Sequence, residues 1–267
     1  MNNLSETSYP LRFASEVCQR AGSLLLSYFR KTELNLSRKA DRSLVSEADI
    51  AADELITTAI QQQFPSDFIL SEELSPSITT TSSTGWVIDP LDGTTNFSLG
   101  MHYWGVLLTR IENGLPSLTV QYFPAIDEIY QAQIHQQSLL NNQPIHVESP
   151  ASDQKLSFFS CCSRAFRHYD INIRYKTRIF GSAAYSMANV ARGACRIAFE
   201  AEAKIWDIAG AWLLVPQAGG VIAPLTGRLP FPLTPSGDFS KQSFPIIAAS
   251  SSLFLEEAIN KIHLKNH

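Results

Sequence analysis

The sequence lacks the features that direct a protein to nucleic acid or to a membrane. It has no block of Lys and Arg and carries a formal net charge of −4, whereas binding to a phosphate backbone requires clustered basic residues. No apolar run approaches the ~18 residues that span a bilayer, and the start, Met1 to Pro10, is polar rather than the apolar core of a signal peptide. We therefore expect a cytoplasmic protein with neither nucleic acid nor membrane as a partner.

The chain also has few cysteines, and none is placed in a metal or redox motif. Its 4 cysteines lack C-x-x-C spacing, and adjacent residues such as Cys161 and Cys162 rarely bridge each other. We expect reduced thiols that pack as small hydrophobic side chains, with a catalytic thiol as the alternative. In other respects the composition, 45% hydrophobic and 17% charged over 267 residues, is that of an ordinary globular protein, either one unit or two closely packed halves.

The most informative stretch reads WVIDPLDGTTNF and begins at Trp86. Its first three residues favour a short strand, and Pro90 holds Asp89 in extended backbone, so we expect the strand to end at Asp89. Gly93 permits an unusual dihedral angle or a close backbone approach. The surrounding residue types favour turns and helix caps, namely Asp92, Thr94, Thr95 and Asn96. This stretch therefore predicts a strand that leads into a helix start.

A helix start with nearby carboxylates indicates a metal and phosphate site. Free N–H groups and the helix dipole attract phosphate, but Asp89 and Asp92 would repel it unless a cation stood between them. Further carboxylates are available at Glu72, Glu73 and Asp207. Mg²⁺ takes about six oxygen ligands, and two ions ~3.5–4 Å apart could polarise a phosphate and stabilise its leaving oxygen. The alternative is that each acidic pair is a solvated turn or a helix cap.

The remaining pattern predicts helices and strands in both halves. In the first half we predict helices over residues 11–30 and from an N-cap at Ser46 to residue 64, with Asp49 either in a capping box or merely offsetting the dipole. Strands are predicted at 68–70 and, as an antiparallel meander, at 103–111, 115–123 and 129–134. Residues 75–84, rich in Ser and Thr, are expected to form an exposed, mobile loop.

The second half reads as an α/β portion. Strands are predicted at 156–160, 178–180, 196–200 and 246–249. Helices are predicted from Gly181 to about Arg192, from Asp207 to the Gly219-Gly220 pair, and over residues 252–261. Pattern alone therefore gives a mixed α+β protein.

Three motifs, in this order and spacing, resemble the inositol monophosphatase family: Ser71-Glu72-Glu73, the stretch from Asp89 to Phe97, and Trp206-Asp207-Ile208-Ala209-Gly210. The resemblance covers nearly the whole chain. It implies a five-layer α-β-α-β-α sandwich in a single unit, 1–267, with an N-terminal half 1–150 and a C-terminal half 151–267. It also implies a homodimer and a lithium-sensitive, Mg²⁺-dependent phosphatase. The superfamily includes fructose-1,6-bisphosphatases, histidinol-phosphate phosphatases and 3′-phosphonucleotide phosphatases, so the motifs support the chemistry better than the substrate.

The resemblance also implies roles for individual residues. Two or three Mg²⁺ ions would be held by Glu72, Asp89, the Leu91 carbonyl, Asp92 and Asp207. Thr94, oriented by Asp49, would position and help deprotonate the attacking water. The substrate would contact Glu72, Asp92, Gly93, Thr94, Thr95, Gly181, Ser182, Ala183, Glu200 and Asp207. The favoured reaction is hydrolysis of inositol-1-phosphate, with Glu200 accepting hydrogen bonds from inositol hydroxyls; as alternatives, Glu200 is a surface charge and Gly181 a turn glycine.

The chain departs from the family pattern at two places. The family usually has Gly where this chain has Ser71, and the stretch from Gln136 to Ile145 replaces a Gly-rich hairpin. Asn141 and Asn142 can still make a turn, so we expect only a surface difference there. The resemblance also places Lys39 near the mouth of the site, outside the predicted site residues.

Two functions of other kinds stay open at this stage. Asp92-Gly93-Thr94 is similar to the end of the D-x-D-G-T motif of phosphatases with a phospho-aspartate nucleophile. That chemistry needs its acid two residues after the nucleophile, whereas Asp89 and Asp92 are three apart with a proline between them. The second is a non-catalytic regulator that binds a metal or a sugar phosphate through the same pocket.

Overall fold

The computed structural model describes residues 8–30, 36–38, 44–148, 157–234 and 237–265, with residues 36–38 and 44–46 as backbone only. Lys39, the capping side chain predicted at Ser46, Leu156 and the predicted boundary after residue 150 lie outside this description. The first elements are α1 (Tyr9–Tyr28), β1 (Leu36–Arg38), β2 (Leu44–Ser46), α2 (Glu47–Gln63), β3 (Phe68–Ser71), β4 (Ser77–Ile78), β5 (Thr84–Asp92), α3 (Thr94–Ser98), β6 (Gly105–Glu112), β7 (Leu115–Phe123), a 3₁₀ turn (Pro124–Ile126), β8 (Glu128–Gln133), β9 (Leu139–Leu140) and β10 (Gln143–Pro144).

The later elements follow from residue 158 onward. They are β11 (Phe158–Cys161), α4 (Ala165–His168), β12 (Tyr169–Ile171), β13 (Lys176–Arg178), α5 (Ala183–Ala191), β14 (Cys195–Ala203), α6 (Ile205–Ala209), α7 (Ala211–Gln217), β15 (Val221–Pro224), β16 (Gly237–Asp238), β17 (Phe244–Ala249), α8 (Ser252–Lys261) and β18 (Ile262–Leu264).

Two large sheets and three helical layers make up the sandwich, and three two-stranded sheets, β1-β2, β12-β18 and β16-β4, lie beside it. The first sheet has seven strands in the order β10-β9-β8-β7-β6-β5-β3, and the second has five in the order β13-β11-β14-β17-β15. Helices α1 and α2 pack on the outer face of the first sheet, and α8 packs on the second sheet. Between the sheets, α5 packs on β14 and β17, α6 packs on β5 and β6, and α7 contacts strands of both sheets. The prediction of a five-layer α-β-α-β-α sandwich is confirmed.

Helix α1 shows how the apolar pattern sets a layer. It buries Leu11, Ala14, Val17, Cys18, Ala21 and Leu25, which recur at helical spacing and face the first sheet. It begins two residues before the predicted start, because Pro10 is tolerated in a first helical turn. It ends at Tyr28 rather than at Arg30, because Phe29 adopts extended backbone with ψ of 130°.

The strand that carries the central motif runs further than predicted. Strand β5 extends through Pro90 to Asp92 instead of ending at Asp89. Its pairing with β6 is regular up to Asp89, shifts register, and resumes where Asp92 faces Gly105. Pro90 has no N–H for the ladder, and the irregularity absorbs that loss without ending the strand. The end of β5 therefore lies at Asp92.

The antiparallel meander β6-β7-β8 is confirmed. Its first turn places Asn113 and Gly114 at φ of 52° and 78°, the left-handed conformation that a two-residue hairpin turn requires. In the stretch that lacks glycine, Asn141 and Asn142 adopt φ of 49° and 63° between β9 and β10. Asn tolerates this conformation, so a hairpin is retained there as predicted.

Several other predictions need correction. The predicted loop 75–84 contains β4, which pairs with β16 and buries Ile78, because its partner strand comes from far along the chain. The strand predicted at 178–180 lies instead at Lys176–Arg178, where it pairs with β11. Strand β14 continues to Ala203 alongside β17, so Glu200 lies within the strand and not at its end.

The helix predicted from Asp207 to the glycine pair is divided in two. Helices α6 and α7 meet at Gly210, where a Cβ would lie 2.6 Å from the Thr119 hydroxyl oxygen. The cysteines are unpaired, and Cys18, Cys161 and Cys195 are buried, as predicted. Among the described residues, no helix combines the length and the hydropathy needed to cross a membrane.

Candidate active site

Three carboxylates from distant parts of the chain converge at one point. Glu72, Asp89 and Asp207 each offer one oxygen atom, and these atoms all lie within 4.8 Å of one another. Glu72 directly follows β3, Asp89 lies in β5, and Asp207 lies in the first turn of α6. We call these three residues the acidic cluster. They are three of the five predicted metal ligands.

Local hydrogen bonds place each member of the cluster. Strands β3 and β5 are parallel neighbours, and the Glu72 N–H donates to the Ile88 carbonyl at 3.3 Å, which sets Glu72 beside Asp89. The Asp89 Oδ1 accepts from the Leu91 N–H at 3.0 Å. The Asp207 Oδ2 accepts from the Lys204 N–H at 2.8 Å across the first turn of α6, so Asp207 also caps this helix.

Burial and charge repulsion raise the pKa of the two aspartates of the cluster. Loss of hydration raises the pKa of Asp89 and Asp207 well above the usual range for aspartate. Glu72 and Asp92 raise both pKa values further by charge repulsion. A divalent cation would relieve this repulsion, and carboxylate oxygens are the hard donors that Mg²⁺ prefers. The residues present therefore fit the predicted metal.

Asp92 lies next to the cluster but is engaged by a different element. Its carboxylate accepts hydrogen bonds from the Ser182 hydroxyl, from the Ala183 N–H at 3.3 Å and from the Ala184 N–H at 3.2 Å, at the start of α5. Burial raises the pKa of Asp92 to about 6, although these donors lower it. Asp92 therefore connects the cluster to the start of α5, where the predicted substrate residues Ser182 and Ala183 lie.

The predicted catalytic pair is in hydrogen-bond contact. The Thr94 Oγ1 lies 3.0 Å from the Asp49 Oδ1 and 3.2 Å from the Leu91 carbonyl oxygen, so it adjoins the backbone ligand predicted there. Gly93 precedes α3 with φ of 89°, and a Cβ at this position would lie 2.9 Å from the Tyr103 carbonyl oxygen. Only glycine fits both conditions. Thr95, in the same short helix, is exposed.

A cavity of about 220 Å³ opens beside the cluster. Six predicted substrate residues line it, namely Asp92, Gly181, Ser182, Ala183, Glu200 and Asp207. The sequence did not predict the other lining residues, Cys162, Ser163, Arg164, Glu202 and Ala203. The first three of these follow β11, which is parallel to β14, so they lie at the same edge of the sheet as the last residues of β14, Glu202 and Ala203. The parallel pairing was the missing signal.

Glu200 and Glu202 lie two residues apart on β14 but in different surroundings. The Glu200 residue is only 5% exposed, and burial raises its pKa to about 8, while hydrogen bonds from Ser186 and Cys162 lower it. It is therefore not the surface charge of the alternative interpretation. The Glu202 side chain is 39% exposed and pairs with Arg164, whose Nη1 lies 2.9 Å from Oε2.

Two further residues near the site have surroundings that the sequence did not predict. The Asn96 amide nitrogen donates to the Tyr103 carbonyl at 2.6 Å and to the Phe180 carbonyl at 2.7 Å, which fixes the segment before Gly181 against α3. Asp53 is fully buried on α2, one turn beyond Asp49. Neither the Asn96 hydrogen bonds nor the burial of Asp53 can be recognised from the neighbouring residues in the sequence.

Comparison with known proteins gives a consistent family. The model of the inositol monophosphatase family matches residues 7–264. A histidinol-phosphatase from Chlorobaculum parvum is 31% identical over 229 residues, which cover 82% of this chain and 86% of the relative. A fructose-1,6-bisphosphatase/inositol-1-monophosphatase from Thermotoga maritima is 30% identical over 226 residues, with 82% and 86% covered. The Nus factor SuhB of Escherichia coli is 30% identical over 236 residues, with 84% and 88% covered.

Solved structures share the fold. The Thermotoga maritima IMPase superposes with a TM-score of 0.78 at 24% identity, covering 95% of this chain and 96% of that chain. An inositol monophosphatase from Zymomonas mobilis superposes with a TM-score of 0.74 at 24% identity, covering 96% and 98%.

Proposed function

Because this chain belongs to the inositol monophosphatase family, we propose that it is a Mg²⁺-dependent phosphatase that hydrolyses a small polyol phosphate, with inositol-1-phosphate as the substrate. The observation that carries this proposal is the convergence of Glu72, Asp89 and Asp207, whose oxygens lie within 4.8 Å of one another. A cluster of carboxylates repels a phosphate ester unless cations are present, and metal-dependent phosphoryl transfer uses such cations.

The residues that would hold two or three Mg²⁺ ions are Glu72, Asp89, the Leu91 carbonyl, Asp92 and Asp207. When bound, Mg²⁺ supplies charge that stabilises the phosphate in the transition state and the leaving oxygen. The chain itself holds the carboxylate ligands in place, because Asp89, Asp92 and Asp207 each accept a hydrogen bond from a backbone N–H.

Thr94 and Asp49 would handle the attacking water. The Thr94 hydroxyl lies 3.0 Å from the buried Asp49 carboxylate. When it donates there, its own oxygen lone pairs are available to accept a hydrogen bond from water. Asp49 then receives the proton through Thr94 as the water attacks phosphorus. General-base assistance of this kind contributes roughly 10²–10⁴-fold.

The substrate would lie between the motif loop and α5. The backbone around Gly93, Thr94 and Thr95 would hold the phosphate, with the leaving group in the cavity lined by Gly181, Ser182, Ala183 and Glu200. Glu200 would accept hydrogen bonds from substrate hydroxyls and so select a polyol. By the same family resemblance we propose a homodimer, which sedimentation equilibrium can test.

Histidinol phosphate is the second candidate substrate. Glu200 and Glu202 line the cavity together with Arg164, which pairs with Glu202. Glu200 is therefore the carboxylate that would meet a basic leaving group. The relative from Chlorobaculum parvum carries the name histidinol-phosphatase.

The test is a phosphate-release panel with the purified protein. Its substrates are inositol-1-phosphate, histidinol phosphate, fructose 1,6-bisphosphate and 3′-phosphoadenosine 5′-phosphate, each with Mg²⁺ and with chelator. We expect Mg²⁺-dependent release with the highest kcat/KM on inositol-1-phosphate. A higher kcat/KM on another member would replace the substrate but keep the chemistry. No release from any ester would favour the regulator, and a trapped phospho-enzyme would favour the phospho-aspartate mechanism.

A further inference from the structure

Helix α2 presents two buried carboxylates to the site from successive turns. Asp49 and Asp53 are four residues apart, so they share one face of the helix, and both are almost completely buried. Asp49 contacts Thr94, as described above. Asp53 points to a different segment and has no part in the proposed chemistry.

Asp53 binds the segment that carries Glu72. Its Oδ2 accepts a hydrogen bond from the Ser71 hydroxyl and another from the Leu74 N–H at 3.1 Å. The Glu73 backbone also lowers the pKa of this carboxylate, and its other oxygen, Oδ1, is buried without a hydrogen-bond partner among the described residues. Ser71 and Leu74 lie on both sides of Glu72 in the sequence, so one side chain holds the segment before and after the cluster residue.

Burial of the Asp53 carboxylate costs free energy, which its hydrogen bonds to the Glu72 segment must offset. Most of the other buried positions of α2 are apolar, among them Ala52, Ile56 and Ile60. A carboxylate at such a position loses its hydration, and burial raises the pKa of Asp53. What it gains is a set of charge-assisted hydrogen bonds, which are about twice as strong as neutral ones. The hydrogen bonds described above come from Ser71 and Leu74, which lie on either side of Glu72 in the sequence.

We propose that Asp53, together with Ser71, is a positioning residue that fixes Glu72 for the divalent cation. The assignment rests on the proposed function, because it takes Glu72 as a metal ligand. Outer partners of ligating carboxylates orient them, and their loss typically lowers metal affinity or activity by about 10–100-fold. Ser71 supplies the hydroxyl that donates to Asp53.

The test compares Mg²⁺ binding by Asp53→Ala and Ser71→Ala with binding by a control in the same helix. The control is Thr57→Val, because the Thr57 hydroxyl donates to the Asp53 carbonyl at 2.8 Å within α2. Isothermal titration with Mg²⁺ alone should give a Kd raised about tenfold or more in Asp53→Ala, with a smaller rise in Ser71→Ala. We expect Thr57→Val to bind as wild type does.

Turnover gives an independent readout of positioning. At saturating Mg²⁺, both variants should recover most of the wild-type kcat, because excess metal compensates for a loosely held ligand. The double variant Asp53→Ala/Ser71→Ala should be no worse than Asp53→Ala alone, since the two residues act through one contact. Thermal midpoints measured beside each titration show that the variants are folded, and Ser71→Ala carries the test if Asp53→Ala does not fold.

The possible outcomes distinguish a failure of the Asp53 assignment from a failure of the proposed function. Mg²⁺ binding by the wild type with undiminished affinity in both variants would overturn the role of Asp53 alone. An equal loss in Thr57→Val would also overturn it, because that loss would reflect the helix and not the segment. A wild type that binds no Mg²⁺ and hydrolyses no phosphate ester would overturn the proposed function together with this assignment.

Discussion

Two carboxylate sites in this protein have different neighbours. Glu148 is fully buried, and Arg196 meets it with two hydrogen bonds, Nε to Oε2 at 2.9 Å and Nη2 to Oε1 at 3.2 Å. The Arg196 guanidinium also lies over the rings of Tyr175 and Phe254. In the acidic cluster, the charged groups that raise the pKa of Asp89 are other carboxylates.

The difference separates a structural site from a binding site. At Glu148 the chain supplies its own cation, so the free energy of pairing contributes to folding. At the cluster the chain concentrates negative charge, and the repulsion between the carboxylates opposes folding. A cation from solution that binds these carboxylates would stabilise the folded state. Each prediction below tests one side of this contrast.

The largest effect is expected when the cluster loses a charge. Asp89→Asn, Asp92→Asn and Asp207→Asn should each lower kcat/KM by at least about 100-fold, because each removes a charge that the cation requires. The thermal midpoint of the metal-free protein should stay the same or rise, since repulsion among carboxylates is relieved. Phosphate release at limiting Mg²⁺ and thermal unfolding with chelator are the measurements.

The control for this series is Asp170→Asn, an exposed acid on β12. It should leave both turnover and the thermal midpoint unchanged. Near-wild-type activity of any cluster variant at limiting Mg²⁺ would remove that residue from the ligand set.

The opposite change, removal of the chain's own cation, should affect folding. Arg196→Leu leaves Glu148 buried without the guanidinium, and the expected loss is about 3–5 kcal/mol of unfolding free energy. Adding Glu148→Leu should restore much of that loss, because an apolar pair can replace a buried ion pair. Urea denaturation monitored by circular dichroism measures both. A double variant as unstable as the single one would show that the contact with the aromatic rings is the larger contribution.

Glu200→Gln tests the substrate pocket beside the cluster. A carboxylate that accepts hydrogen bonds from hydroxyls contributes ~1.5–3 kcal/mol, so kcat/KM on inositol-1-phosphate should fall roughly 10–100-fold. Hydrolysis of a plain aryl phosphate, which has no such hydroxyls, should change much less. Glu202→Gln is the matched control on the same strand, and we expect a smaller effect because Glu202 already pairs with Arg164. An equal loss on both substrates would place Glu200 in the catalytic or structural machinery.

The stability of the metal-free protein should fall as pH rises. Burial raises the folded-state pKa of Asp92 to about 6 and that of Glu200 to about 8. A raised folded-state pKa gives stability that is present at low pH and is lost as pH increases through that pKa. Mg²⁺ should therefore raise the thermal midpoint by a few degrees more at pH 8 than at pH 5, at ~2–4 °C per kcal/mol. Thermal scans with Mg²⁺ and with chelator test this, and a pH-independent gain would contradict it.

Inhibition by Li⁺ is the smallest effect expected and depends on the family resemblance. A small monovalent ion could replace one metal after phosphate release and retain the product. Steady-state assays under saturating substrate, with NaCl as the ionic-strength control, should show lower turnover with LiCl. Full activity in LiCl would count against a typical member of the family but not against phosphatase chemistry.

Features that depend on neighbouring residues were predictable from the sequence. The positive φ of Gly93, the meander turns and the Asn141-Asn142 turn each follow from residue type. The position of Asp89 in a strand was predictable too, but the end of that strand was not. The register shift that carries β5 past Pro90 depends on its pairing with β6, which lies outside the motif.

Contacts between sequence-distant segments were not predictable in the same way. Arg164 enters the cavity because β11 lies parallel to β14. Asp53 reaches Ser71 because α2 packs on the first sheet, and nothing in the helical pattern distinguishes Asp53 from a solvated acid. The resemblance to a family supplied the convergence of Glu72, Asp89 and Asp207, which spacing alone does not provide.

The contact between Asp92 and α5 has a consequence for synthesis on the ribosome. Glu72, Asp89 and Asp92 are translated early, but the Ser182, Ala183 and Ala184 groups that donate to Asp92 follow about ninety residues later, and Asp207 follows later still. A nascent chain that has just exposed its first sheet therefore holds the central motif without these donors. The proposed metal site becomes complete only after most of the chain has emerged, so we expect a product truncated before α5 to retain the motif without activity.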